Sequence, residues 1–165
     1  MDLRLRGKKA LVTGSSRGIG RAIALSLADL QVDVAINYLR NRTRAEETAH
    51  EIEERGVRSL VVKANVARPD QVDQIFETIA AEWGALDIVV SNAASGVLRP
   101  AAELTLHHFD WAMHINAAAL LPLIQNLSRM PSSGGDKCLV AVSSLGAIRA
   151  IPNYTAVGAS KAALE

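Results

Sequence analysis

In "SSLGAIRAIPNYTAVGASKAALE" a phenol and an amine stand seven residues apart, Tyr154 and Lys161, with the hydroxyls of Ser143 and Ser144 upstream. A tyrosine, with an ordinary pKa of about 10, can hydrogen-bond a developing oxyanion and deliver a proton, and a lysine charge nearby favours its phenolate character. Far upstream, "TGSSRGIGRA" carries glycines at 14, 18 and 20 directly after an apolar run. A turn of this kind, here Gly14, Ser16, Arg17, Gly18, Ile19 and Gly20, lets backbone approach a pyrophosphate while the amides of the following helix face its charge. Its place after the first strand of a β-α-β series is the context that a dinucleotide fingerprint requires.

The end of the second apolar run separates the two nicotinamide cofactors. An Asp or Glu there would bind the adenosine ribose hydroxyls and repel a 2′-phosphate. The chain instead reads "INYLRNRTR", with Asn37, Arg40, Arg42 and Arg44 and no acid before Glu46. Guanidinium groups suit bidentate phosphate recognition, so the pattern predicts NADPH, held by Arg17 and Arg40. Arg42 and Arg44 read as a solvated basic face leading into a helix.

These groups need a scaffold, and the apolar runs supply its plan. "KALVTG", "VDVAINY", "RSLVVKA", "LDIVVSN" and "KCLVAVSS" are short and rich in Val, Leu and Ile, which predicts five parallel strands buried on both faces. Between them, "GIGRAIALSLADL", "TRAEETAHEIEERG" and "PDQVDQIFETIAAEWG" have helical spacing; two end on a C-cap glycine and the third opens with Pro69. A fourth helical region runs from about Leu106 to Met130, with Pro122 expected to kink or divide it. "MPSSGGDK" is the loop before strand five, and a fifth helix holds "TAVGASKAALE". This alternation predicts one α/β domain, a Rossmann-type doubly wound parallel sheet with helices on both faces.

Composition narrows the function class. The 165 residues are 49% hydrophobic, enough for the core of one domain, and 18 basic against 17 acidic residues leave a net charge of +1. There is no global field to recruit nucleic acid or a membrane surface. The lone cysteine, Cys138, reads as a small buried hydrophobe. The start "MDLRLRGKKALVTG" has scattered charges and no long apolar stretch, so the expectation is a soluble cytoplasmic protein. His107, His108 and His114 lack carboxylate or cysteine partners at ligand spacing and read as helix-surface residues, so no metal site is expected.

The motifs "TGSSRGIG", "SNAASG", "HINAAA" and the closing Ser, Tyr and Lys resemble the short-chain dehydrogenase/reductase family across the whole chain. "NAASGVLRP", "SSLGAIRAIPNY" and the spacing of Tyr154 and Lys161 are similar to the FabL-like branch of NADPH-dependent enoyl-acyl-carrier-protein reductases. Most family members set the tyrosine four residues before the lysine. On a helix, four residues advance about 6 Å and seven about 10.5 Å, so Tyr154 is displaced from Lys161. A displaced phenol suits conjugate reduction, in which hydride reaches the β-carbon and charge gathers on a thioester oxygen two carbons away.

The resemblance implies roles for further residues. Lys161 contacts the nicotinamide ribose. Ser144 is the substrate-side serine if counted back from Lys161, and Ser143 if counted back from Gly146. Asn116 matches the asparagine that holds the fourth helix and a relay water. Asn65 and Val66 take the adenine-pocket position, and Asn92, Ala93 and Ala94 follow strand four, with Ser91 replacing a usual asparagine. "SGVLRP" is expected to border an acyl pocket. The implied function is NADPH-dependent reduction of a trans-2-enoyl thioester, carried on acyl carrier protein or CoA, in fatty-acid or related acyl-chain biosynthesis. The alternatives are a 3-oxoacyl, ketone or aldehyde reductase, or a truncated fragment that binds nucleotide or a partner with little turnover. Family members continue with two more strands and a mobile substrate loop. The resemblance therefore implies a C-terminally incomplete dinucleotide-binding domain over 1–165, cut in its fifth helix, that forms a homo-oligomer.

Overall fold

The computed structural model describes residues 5–165, so the first four residues of the start read above lie outside the described residues. Strands β1 (Lys9–Val12), β2 (Asp33–Tyr38), β3 (Ser59–Lys63), β4 (Ile88–Ser91) and β5 (Cys138–Ala141) form one parallel sheet of order β3-β2-β1-β4-β5. Helices α1 (Gly18–Asp29), α2 (Arg42–Glu53), α3 (Pro69–Trp83), α4 (Leu106–Met113), α5 (Leu120–Arg129) and α6 (Thr155–Leu164) accompany it. The chain moves outward from β1 to β3 and then returns to place β4 beside β1. That reversal opens a crevice at the carboxyl ends of β1 and β4, where such sheets bind ligands.

Alternation along β1 assigns its side chains to two cores. Ala10 and Val12 join Ala24, Ala28, Ile36 and Ile52 under α1 and α2. Leu11 turns to the other face and packs with Ile75, Ile79, Val89 and Leu123 under α3 and α5. The ends of the helices follow the sequence signals. Asn41 caps α2 by accepting from the Arg44 amide at 3.0 Å, Pro69 opens α3, and Gly84 ends it at φ +71°. Among the described residues, no helix is long and apolar enough to cross a membrane.

Two expectations are corrected. Burial on both faces holds for the inner strands but not for β5, an edge strand whose residues Cys138 and Val140 share one face and are exposed. Cys138 is therefore not buried. The fourth helical region divides at a π-helical turn, His114–Ala118, and not at Pro122. The Ala119 amide bonds the His114 carbonyl at 3.1 Å across this turn, and Pro122 follows in the first turn of α5, where its missing N–H is tolerated.

Asp87, fully buried at the start of β4, fastens the opposite end of the sheet. Its carboxylate accepts from the Lys9 amide at 2.9 Å, the Ser132 hydroxyl at 2.9 Å and the Ser133 amide at 2.8 Å, with Lys8 Nζ at 3.4 Å. Burial pushes the carboxyl up, but these hydrogen bonds outweigh it and hold the group below the usual carboxylate range. A depressed acid stabilises the fold above its unfolded pKa of about 4, and that contribution fades as pH falls through the lower folded value. Asp87→Asn is expected to cost about 2–3 kcal/mol at pH 7. Urea unfolding at pH 7 and below pH 4 checks this: the gap between parent and variant should narrow in acid.

Candidate functional site

A cleft of about 710 Å³ lies over the carboxyl ends of β1, β2 and β4. Its floor is a joint between the β1–α1 turn and the end of β4. Thr13, buried, accepts from the Asn92 and Ala93 amides at 2.9 Å each, and the Asn92 side-chain amide donates back to the Thr13 carbonyl at 2.9 Å. Gly14 sits at φ +63°, and a Cβ on Gly20 would stand 2.5 Å from the Gly14 carbonyl oxygen. Both positions demand glycine, one for conformation and one for close approach. Asn37, buried at the end of β2, accepts from the Gly14 amide at 3.3 Å and donates to the Ala64 carbonyl at 3.1 Å, so it braces the turn.

All twelve positions named for the turn, the cation, the adenine pocket and the end of β4 line this one cleft: Gly14, Ser16, Arg17, Gly18, Ile19, Gly20, Arg40, Asn65, Val66, Asn92, Ala93 and Ala94. Arg17 precedes α1 without a side-chain cap, which leaves the first-turn amides facing the cleft as an anion site. Arg44, assigned above to a solvated face, lines the cleft as well. Arg42 instead pairs with Glu46 at 2.7 Å. Among the described residues, Arg17, Arg40 and Arg44 have no carboxylate partner. The Asn41 cap was the signal for Arg44, because it starts α2 just ahead of the third helical residue. Thr13, Ser95 and Ile115 lie inside motifs quoted above without a role of their own, and Trp111 carried no signal; Ser95, Trp111 and Ile115 line the cleft.

The second cluster gathers at α6. Tyr154 is the residue just before the helix, and its hydroxyl lies 3.1 Å from Ser144 Oγ. Ser144 Oγ also accepts from the Gly146 amide at 3.2 Å. Ser143 turns away and donates to Glu165 at 2.5 Å. The Tyr154 ring lies against Gly146, where a Cβ would meet ring atoms at 2.5 Å. It also lines a smaller hollow of about 380 Å³ with Ile148, Arg149 and Ile151. Four residues before Lys161 stands Val157, buried and packed against Gly96.

Lys161 is buried and donates to the Val142 carbonyl at 2.6 Å. Burial holds its ammonium below the usual lysine range, so its charge costs stability at neutral pH, and the cost eases as pH rises through the lowered value. Lys161 does not line the large cleft. Asn116, in the π-helical turn, accepts from the Ser95 amide and donates to the Ser95 carbonyl, both at 2.8 Å, and reaches Ser160 Oγ at 2.9 Å. It thereby joins the loop after β4 to α6. Of "SGVLRP", Ser95 lines the cleft and Leu98 is exposed. His107 and His114 are exposed, and His108 caps α4 with Thr105.

The family model described as enoyl-(acyl carrier protein) reductase matches residues 14–165. The chain is similar to 1-cyclohexenylcarbonyl-CoA reductase of Streptomyces collinus, with 38% identity over 160 residues covering 97% of this chain and 56% of that protein. It is similar to the hydroxynaphthalene reductase-like protein Arp2 of Metarhizium robertsii, with 37% identity over 162 residues covering 98% and 60%. The solved structure of the landomycin C-6 ketoreductase LanV with bound NADP and rabelomycin matches with a TM-score of 0.89 and 38% identity, covering 97% of this chain and 67% of that one. The chain thus spans 56% and 60% of the length of these two curated relatives.

The glycine geometry yields a paired expectation. Gly20→Ala forces its methyl group into the Gly14 carbonyl and should cost about 1–3 kcal/mol by overpacking. Gly18→Ala meets no atom within 4 Å, and its penalty of about 1–2 kcal/mol comes from φ +58° alone. Urea unfolding measures both costs, and only Gly20→Ala, whose Cβ would also meet the Asn92 side chain, should disturb the joint beneath the cleft.

Proposed function

The chain belongs to the short-chain dehydrogenase/reductase family, and from that premise we propose that it carries the NADPH cleft and the proton-donating groups of a 2-enoyl thioester reductase. The observation behind this reading is the position of Tyr154. It stands ahead of α6, seven residues before Lys161, while the four-residue register is filled by buried Val157. The similarity to a protein named for reducing 1-cyclohexenylcarbonyl-CoA, an unsaturated thioester, supports the same substrate class.

The cleft suits a phosphorylated dinucleotide in its donor set. Uncapped amides at the N-terminus of α1 face the pyrophosphate position, and Arg17, Arg40 and Arg44 are free for a 2′-phosphate. LanV, which shares the fold, holds NADP in its solved structure. When bound, NADPH supplies the hydride that the β-carbon of the enoyl group accepts.

The chain's own groups handle the charge that develops. The Gly146 amide occupies one lone pair of Ser144 Oγ, and in its 3.1 Å contact with the Tyr154 hydroxyl either oxygen can donate; the productive arrangement has Ser144 donating to the Tyr154 oxygen. That leaves the phenol hydrogen for the thioester oxygen, where it stabilises the enolate. Lys161 provides positive charge within α6, where its ammonium is engaged by the Val142 carbonyl; the ribose contact is the role that the family resemblance implies for it. Asn116 keeps α6 and the loop after β4 in register. The apolar hollow beside Tyr154, with Ile148 and Ile151, receives acyl carbons, and the carrier is CoA or acyl carrier protein. Exposed Leu106, Phe109, Leu121 and Ile124 on α4 and α5 offer a self-association face.

Ketone reduction is the second reading, favoured by the similarity to LanV and the Arp2-like protein. NADPH oxidation with crotonyl-CoA and acetoacetyl-CoA side by side separates the two, and preference for the ketone selects the second. Tyr154→Phe should lower crotonyl-CoA turnover about 100-fold while NADPH affinity is kept. Arg40→Asp should weaken NADPH at least about tenfold and NADH little, and equal losses would remove the phosphate-contact role.

A further inference from the structure

All three polar atoms of Ser95 have a partner, and only its hydroxyl hydrogen is left over. Its amide and carbonyl are both taken by the Asn116 side chain, and the Trp111 indole N–H donates to its Oγ at 3.0 Å. A hydroxyl has one hydrogen and two lone pairs. Once the indole occupies a lone pair, the Ser95 hydrogen has no acceptor among the described residues, although the residue lines the cleft. A hydroxyl donor is thus left over at the wall of the cleft, and one lone pair of its oxygen is held by a side chain sixteen residues along the chain.

The position of this donor along the cleft follows from the sheet. Arg40 and Arg44 follow β2, whereas Ser95 follows β4, and both strands flank β1, so the two ends are about 10 Å apart. On the Ser95 side, Asn116 leads to Ser160 and Gly96 packs on Val157, both in α6. We infer that Ser95 is a further binding residue that donates its hydroxyl hydrogen to an acceptor oxygen on the nicotinamide-riboside half of the dinucleotide, with Trp111 as the positioning residue that aims it. This inference rests on the dinucleotide reading of the cleft.

Calorimetric titration with NADPH and with 2′,5′-ADP, which carries only the adenosine half, tests it. Ser95→Ala should weaken NADPH about fivefold and leave 2′,5′-ADP unchanged, while Ser95→Thr keeps the hydroxyl and the affinity. Trp111→Phe should weaken NADPH by a smaller factor, and the double variant should be no weaker than Ser95→Ala, because both act through one hydrogen bond. Unchanged NADPH affinity in Ser95→Ala, equal losses for both ligands, or additive losses in the double variant would each overturn the inference. Melting temperatures without ligand show that the variants are folded, and Ser95→Ala decides alone if Trp111→Phe is not. A parent chain that binds 2′,5′-ADP but loses nothing in Ser95→Ala refutes only the Ser95 role. A parent that binds neither ligand refutes the dinucleotide reading and this inference together.

Discussion

Everything at the ligand end of this molecule depends on how closely the β1–α1 turn approaches the end of β4. The reversal of strand order leaves these two chain ends side by side with unpaired amides and carbonyls. Thr13 and Asn92 satisfy them mutually, through the Thr13 hydroxyl and the Asn92 amide. The contact is so close that Gly20 has no room for a Cβ and Gly14 must adopt positive φ. A cavity with an uncapped helix N-terminus on one wall is the result, because the groups that would have filled it are spent in the joint below.

The cleft is chemically polarised along its length. One end carries guanidinium groups without carboxylate partners, on the turn before α1 and around the start of α2. The other carries hydroxyl and amide groups whose geometry is fixed by Asn116, Trp111 and α6. Asn116 reaches both the loop after β4 and α6 because the helix containing it widens into a π-helical turn. Such turns re-aim side chains at the cost of a distorted backbone ladder, and a site is the usual place for that exchange.

Much of this was legible in the sequence, for identifiable reasons. Apolar runs bounded by Gly14, Gly56 and Gly84 mark elements whose ends are set locally, and the glycine turn belongs to the same local chemistry. What depended on distant neighbours was hidden. Cys138 and Val140 read as buried because their own residue types say so, but exposure of β5 is decided by what lies beside it. Pro122 looked like the breaker of its helix, yet the distortion falls where Asn116 is bound from two other elements. Ser143 and Ser144 are adjacent in the chain and equivalent on paper. An extended backbone at Ser144 sends one toward Tyr154 and the other toward Glu165.

The placement of Tyr154 shows how the fold accommodates a phenol seven residues before Lys161. A phenol four residues before Lys161 would occupy the site of Val157, whose side chain is buried against Gly96. With an apolar group there, α6 packs directly onto the loop after β4, and the phenol stands ahead of the helix instead. Tyr154 fits there only because Gly146 and Gly158 are bare: the ring rests on the first, and a Cβ on the second would stand 2.8 Å from the Gly146 carbonyl oxygen. The seven-residue spacing, the two glycines and the buried valine are therefore one structural solution. It carries the phenol away from Lys161, opens the hollow lined by Ile148 and Ile151, and keeps Ser144 within hydrogen-bond reach of the oxygen that has moved.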